Sequence, residues 1–232
     1  MTMLRRALHG ISGMRIHATD GDLGHVHDVY FEDGQWLVKY LEVDTRHWLH
    51  DRRVLLTPGA VQSVDWEHGR IHVVLTREQV RNSPDIDSHK PVSRQHQLQV
   101  HEYVPWPFPS SDRVWERAEL AAELHKLMLE TSGREVTAPL PDQTKDDPHL
   151  WSARALSNYG LEGTDGALGR VADLLVEEDA WAIRHIVIDG GSWLSAKWFL
   201  VPVDRIQSIS WDAKRVRVSQ GSETVGSAGT NR

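Results

Sequence analysis

The chain has 232 residues, enough for one large domain or two small ones. Its 26 basic and 33 acidic side chains leave a formal charge of −7, and no long stretch has a basic excess, so direct nucleic-acid contact and adhesion to anionic membranes are not expected. With no cysteine, disulfides, thiolate metal sites and a cysteine nucleophile are all excluded.

Arg5, Arg6, His9 and Arg15 occupy the first twenty residues without the apolar core of a signal peptide. No run approaches the ~20 apolar residues needed to span a bilayer. A cytoplasmic globular protein with no membrane span is the expectation. The first structural signal is Asp20-Gly21, a hairpin turn in which glycine supplies positive φ. Val26–Phe31 and Leu37–Val43 follow as strands rich in β-branched and aromatic residues. Val54-Leu55-Leu56 is a short strand interrupted by Pro58-Gly59. Val61–Trp66 and Ile71–Leu75 make a last hairpin around Glu67-His68-Gly69. About six short strands separated by turns predict a small barrel that closes on itself and so removes its edges.

Both faces of the strand from Trp36 to Val43 carry apolar groups. Leu37, Leu41 and Val43 are expected on one face and Trp36, Val38 and Tyr40 on the other. The later strand repeats this, with Ile186 and Ile188 opposite Trp181, Ile183 and Val187. A lone small barrel needs one apolar face, so the other is expected to be covered, by a sister barrel, the linker or another subunit.

Residues 84–150 change character. Prolines from Pro84 to Pro148 break them repeatedly, and they carry most of the negative charge. One helix is predicted near 112–131, capped by Ser111 or Asp112 and ended at Gly133, with Leu120, Leu124 and Leu127 as its apolar stripe. Beyond it the first pattern returns. Thr19-Asp20-Gly21 and Leu23-Gly24 recur as Thr164-Asp165-Gly166 and Leu168-Gly169, 145 positions later. The offset holds without a gap through Asp28 and Asp173, Trp36 and Trp181, Asp44 and Asp189, Trp48-Leu49 and Trp193-Leu194, and Trp66 and Trp211. A fixed offset of this length marks an internal duplication. The fold class is therefore all-β: barrels at 1–83 and 151–220, a proline-rich, partly helical linker at 84–150, and a Gly/Ser-rich tail at 221–232 expected to be disordered.

Taken together, these units resemble the PRC-barrel family. That family includes the cytoplasmic domain of the photosynthetic reaction-centre H subunit and the C-terminal domain of a ribosome-maturation factor. The resemblance rests on Thr19-Asp20-Gly21-Asp22-Leu23-Gly24, Trp36, Tyr40–Asp44 and Trp48-Leu49. It extends through Leu75–Val80, Asn82-Ser83-Pro84 and Lys90–His96, where the pattern is similar to bacterial tandem PRC-barrel proteins. Arg46-His47 departs from the small-residue turn of those relatives, which the later copy keeps as Gly190-Gly191. The H subunit's membrane helix has no counterpart, so the resemblance implies a soluble member.

Catalytic signals are missing. Gly160, Gly163, Gly166 and Gly169 recur every third residue but form no phosphate-loop motif. Asp44 and Asp189 lack a second carboxylate nearby and are expected to accept local backbone N–H bonds. His25 and His27 project from one strand face as weak metal candidates, but zinc needs three or four ligands. No enzyme activity, cofactor or metal is expected. The candidate interaction residues are Trp48, Leu49, Trp193, Leu194, Trp36 and Trp181, because buried tryptophan dominates interface energetics; the tandem Trp-Leu pairs are open to a second reading as plugs at a barrel end. The expected function is a non-catalytic interaction or scaffold protein, contacting a protein partner or a dimer mate as a homo-oligomer. Alternatives are a soluble accessory of a reaction-centre-type electron-transfer complex and a ribosome or RNA-processing assembly factor.

Overall fold

The structure is a computed structural model that describes residues 5–49, 52–82, 150–191 and 198–221. The predicted helix near 112–131, Trp193-Leu194 and all but the first residue of the tail lie outside the described residues. No described helix is long and apolar enough to cross a membrane.

Copy one holds β1 (Arg5–Ala7), α1 (Leu8–Ile11), β2 (Arg15–Ala18), β3 (Gly21–Glu32), β4 (Leu37–Asp44), β5 (Arg53–Leu56), β6 (Val61–Asp65), β7 (Arg70–Val73) and α2 (Arg77–Arg81). Copy two repeats the series as β8 (Leu150–Ser152), α3 (Ala153–Leu156), β9 (Gly160–Gly163), β10 (Gly166–Glu177), β11 (Ala182–Asp189), β12 (Trp198–Pro202), β13 (Ile206–Ser210) and β14 (Arg215–Val218). The duplication therefore starts earlier than the matching residues do, since β8 and α3 are the structural counterparts of β1 and α1.

The strand order is β12-β11-β10-β9-β14-β13 in copy two and β5-β4-β3-β2-β7-β6 in copy one. Contrary to the sequence expectation of closure, the ladder is open in both. A 3₁₀ turn (Pro58–Ala60, Val203–Arg205) stands between the strands that would have to pair. Pro58 offers no donor, and the turn's last carbonyls are taken instead by the N–H groups of Val74 (3.0 Å) and Ser219 (2.9 Å). The core is filled by side chains from both ends of this path, among them Ile16, Leu23 and Ile71 in copy one and Leu161, Leu174 and Val216 in copy two.

The strand faces also differ from simple alternation. In β4 five successive residues, Tyr40–Asp44, are buried, so both of its faces are covered. In β11 Ile183 was expected opposite Ile186, yet both are fully buried. Leu174 pairs with Ile186 and Val176 with Ile183, so β11 carries an extra residue at this point. That bulge shifts the parity and brings both isoleucines to the face of Leu174 and Val176.

The described residues fall into two compact units, one drawn from Met1–Met14, His25–Glu42 and His149–Arg232, the other from Arg15–Gly24 and Val43–Pro148. Within the first unit the two copies exchange their leading strands. β1 pairs with β10, setting Arg5 opposite Glu177 and Ala7 opposite Leu175. β8 pairs with β3 in the equivalent register, Leu150 opposite Glu32 and Ser152 opposite Tyr30.

Candidate interaction surface

The Trp48 loop begins where Asp44 ends β4. Asp44 accepts the backbone N–H of Arg46 (3.1 Å) and pairs with its guanidinium. In copy two Asp189 accepts the N–H of Gly191 (3.0 Å), so both aspartates make the local turn bond expected of them. The Thr45 carbonyl accepts from the N–H groups of Trp48 and Leu49, and its hydroxyl donates to the Arg52 carbonyl at 2.8 Å. The Trp48 indole N–H donates to the Leu23 carbonyl at 2.7 Å. Over the ring lie the guanidinium of Arg77, 4.5 Å from its centroid, and that of Arg81, at 5.9 Å. These arginines are placed by α2, whose start is fixed by the Thr76–Gln79 capping box and by Asp20 accepting the Arg77 N–H at 2.7 Å. Trp48 and Leu49 are partly buried, and these contacts of the Trp48 ring are all with its own copy.

Trp36 and Trp181 sit in the β3–β4 and β10–β11 turns with φ of 56° and 51°, a region costly for bulky residues. Their carbonyls face each other's copy. The Trp36 carbonyl accepts from Ile183 N–H (2.7 Å) and the Trp181 carbonyl from Val38 N–H (2.9 Å). Trp36 also stacks on Phe31, with ring centroids 5.5 Å apart.

A third aromatic group carries no signal in the sequence. Trp151, on β8, is buried, and its indole N–H donates to Asp33 at 2.9 Å. Trp211, in the β13–β14 turn, lies flat on it at 4.3 Å with 12° between the planes, and is 43% exposed. Trp198, at the start of β12, is 55% exposed. The duplication pairs Trp211 with the partly buried Trp66, but Trp151 has Arg6 as its counterpart, so the repeat does not mark the stack.

The same two stretches are picked out by comparison with known proteins. A sequence profile described as PRC-barrel domain matches residues 5–80 and again 162–225. The chain belongs to the PRC-barrel domain family. It does so twice over, as a tandem PRC-barrel protein. It is also similar to an uncharacterized protein of Deinococcus radiodurans, 36% identical over 58 residues. That match covers 25% of this chain and 20% of the relative's length.

Of the histidines in the first PRC-barrel copy, His25 is exposed, and His27 meets the Arg154 guanidinium at 3.1 Å. Among the described residues no three metal-ligating side chains come together. Asp28 is buried, as are Glu42, Asp44 and Glu177, and it accepts the N–H groups of Val29 (2.7 Å) and Arg154 (3.1 Å) and the Ser152 hydroxyl. Burial pushes its carboxyl above the ordinary aspartate value. The Ser152, Val29 and Arg154 bonds pull it back, and the nearby Glu42 adds to the rise. Folding thus favours the protonated form. The contribution is full below the unfolded pKa of about 3.9 and is lost as pH rises through the folded value. The wild-type melting temperature is therefore expected to fall, relative to Asp28→Asn, between acid and neutral pH. A difference between the two that stays constant with pH contradicts this.

Proposed function

We propose that this tandem PRC-barrel protein is a non-catalytic scaffold of the cytoplasm that works through protein–protein contacts, including self-association. The observation that carries the reading is the Trp151–Trp211 stack. Trp151 is immobilised by burial and by Asp33, so Trp211 is presented as a rigid aromatic plate with its exposed part toward solvent. A partner covering such a plate gains apolar burial without ordering a flexible side chain. Trp48 and Leu49 belong to the same proposal as a second contact point, with Trp193 and Leu194 as its copy-two equivalents. Trp36 and Trp181 are assigned to contact between the copies. The PRC-barrel family is generally non-catalytic, and the sequence carries no nucleophile-elbow motif.

The test is affinity capture from the native cell with wild type, Trp211→Ala and Trp48→Asp, read by quantitative mass spectrometry, with light scattering on each purified protein. A hot-spot tryptophan is worth about 2 kcal/mol, so the captured protein is expected to fall roughly thirtyfold in Trp211→Ala. Equal recovery by all three proteins, with unchanged mass, overturns the reading.

A further inference from the structure

The contacts between the copies are reciprocal. Arg5, Arg6 and Ala7 pair with Glu177, Val176 and Leu175, and their equivalents Leu150, Trp151 and Ser152 pair with Glu32, Phe31 and Tyr30. Asp173 accepts the N–H of His9 in α1 at 3.0 Å, while Asp28 accepts the N–H of Arg154 in α3 at 3.1 Å. Trp36 and Trp181 exchange carbonyl bonds with Ile183 and Val38. Leu37 and Ala182, which are each other's equivalents, form a pair with one another and so lie on the local two-fold axis. Contacts in which residue i meets j and j's equivalent meets i's equivalent define an isologous interface, the kind that builds two-fold homodimers.

We infer that the leading segments, residues 5–11 and 150–156, are recognition elements for a second copy of the same module, so that one chain encloses what would otherwise be a homodimer interface. Three features support this. Each leading strand has only three residues, and among the described residues its ladder partner lies in the other copy. Each leading helix has only four residues, too short to persist alone, and a buried or half-buried aspartate of the other copy takes one of its amides. The duplicated aspartate, Asp28 or Asp173, has the same job on both sides. Copy two and the β3–β4 hairpin of copy one therefore fold and unfold together, and outside partners meet other surfaces.

The experiment uses the full chain. Val216 is fully buried in β14 of copy two, and its truncation leaves a cavity there. In Val216→Ala, native-state hydrogen exchange is expected to accelerate by the same factor in copy two and across residues 26–31 of copy one, on the order of tenfold or more. Wild-type protection retained at residues 26–31 while copy two loses its own overturns the inference. Urea unfolding of the unmutated chain provides the second reading. Followed by hydrogen exchange, copy two and residues 26–31 are expected to open in one step, and opening of residues 26–31 apart from copy two overturns it.

Discussion

Replacing Gly24 by alanine is expected to destabilise the protein by on the order of 3 kcal/mol or more. Gly24 has φ +137°, a conformation open to glycine and strained for any L side chain, and a Cβ there would collide with the Asp44 carbonyl. That carbonyl belongs to the end of β4, so relief requires parting the strands. Gly169 repeats the arrangement against Asp189, with φ +140°. Gly13 separates the two causes. Its φ is +85°, but a Cβ at that position would meet nothing within 4 Å, so Gly13→Ala carries backbone strain alone and is expected to cost about 1 kcal/mol. Urea midpoints of the two variants make the comparison. Equal losses would mean that the close approach of the Asp44 carbonyl contributes nothing.

Trp151→Ala is expected to cost about 4 kcal/mol, within the range for large aromatic truncations in a core. The residue is buried opposite Phe31, on the strand that copy two contributes to β3, and its indole N–H is held by Asp33. Truncation empties that volume, removes the indole bond to Asp33 and removes the surface on which Trp211 lies. Trp211→Ala, taken from the exposed side of the same stack, is expected to cost about 1 kcal/mol. If thermal melts show the two substitutions to be equally mild, Trp151 is not part of the core.

The duplication is legible because its signals are local. Asp20-Gly21 and Asp165-Gly166 set the same turn, the strand that follows each has the same length, and Thr76 with Gln79 spells out the cap of α2. The exchange of leading strands is not legible, for a physical reason. In a duplicated module the pattern that suits Ala7 to Leu175 also suits it to Tyr30, the equivalent position in its own copy, so sequence complementarity cannot tell the two pairings apart. Closure fails as an expectation because it depends on how a 3₁₀ turn aims the next strand, which turn residues alone do not encode. Ile183 falls on the other face from the one expected because one bulge inverts the alternation. Residue type alone makes the tryptophan loop a candidate contact element; the Arg77 and Arg81 that cover the Trp48 ring arrive from a helix about thirty positions away, a tertiary pairing with no local signature.

The cysteine-free chain makes the exchange directly measurable. Paired residues in an antiparallel ladder hold their Cα atoms about 4.5–5.5 Å apart, a separation a disulfide can span. Ala7→Cys with Leu175→Cys is expected to oxidise to a bridge at monomeric mass with no thiol remaining, while Ala7→Cys with Tyr30→Cys stays reduced. Bridging in the second pair and not in the first would place the leading strand in its own copy and contradict the exchange.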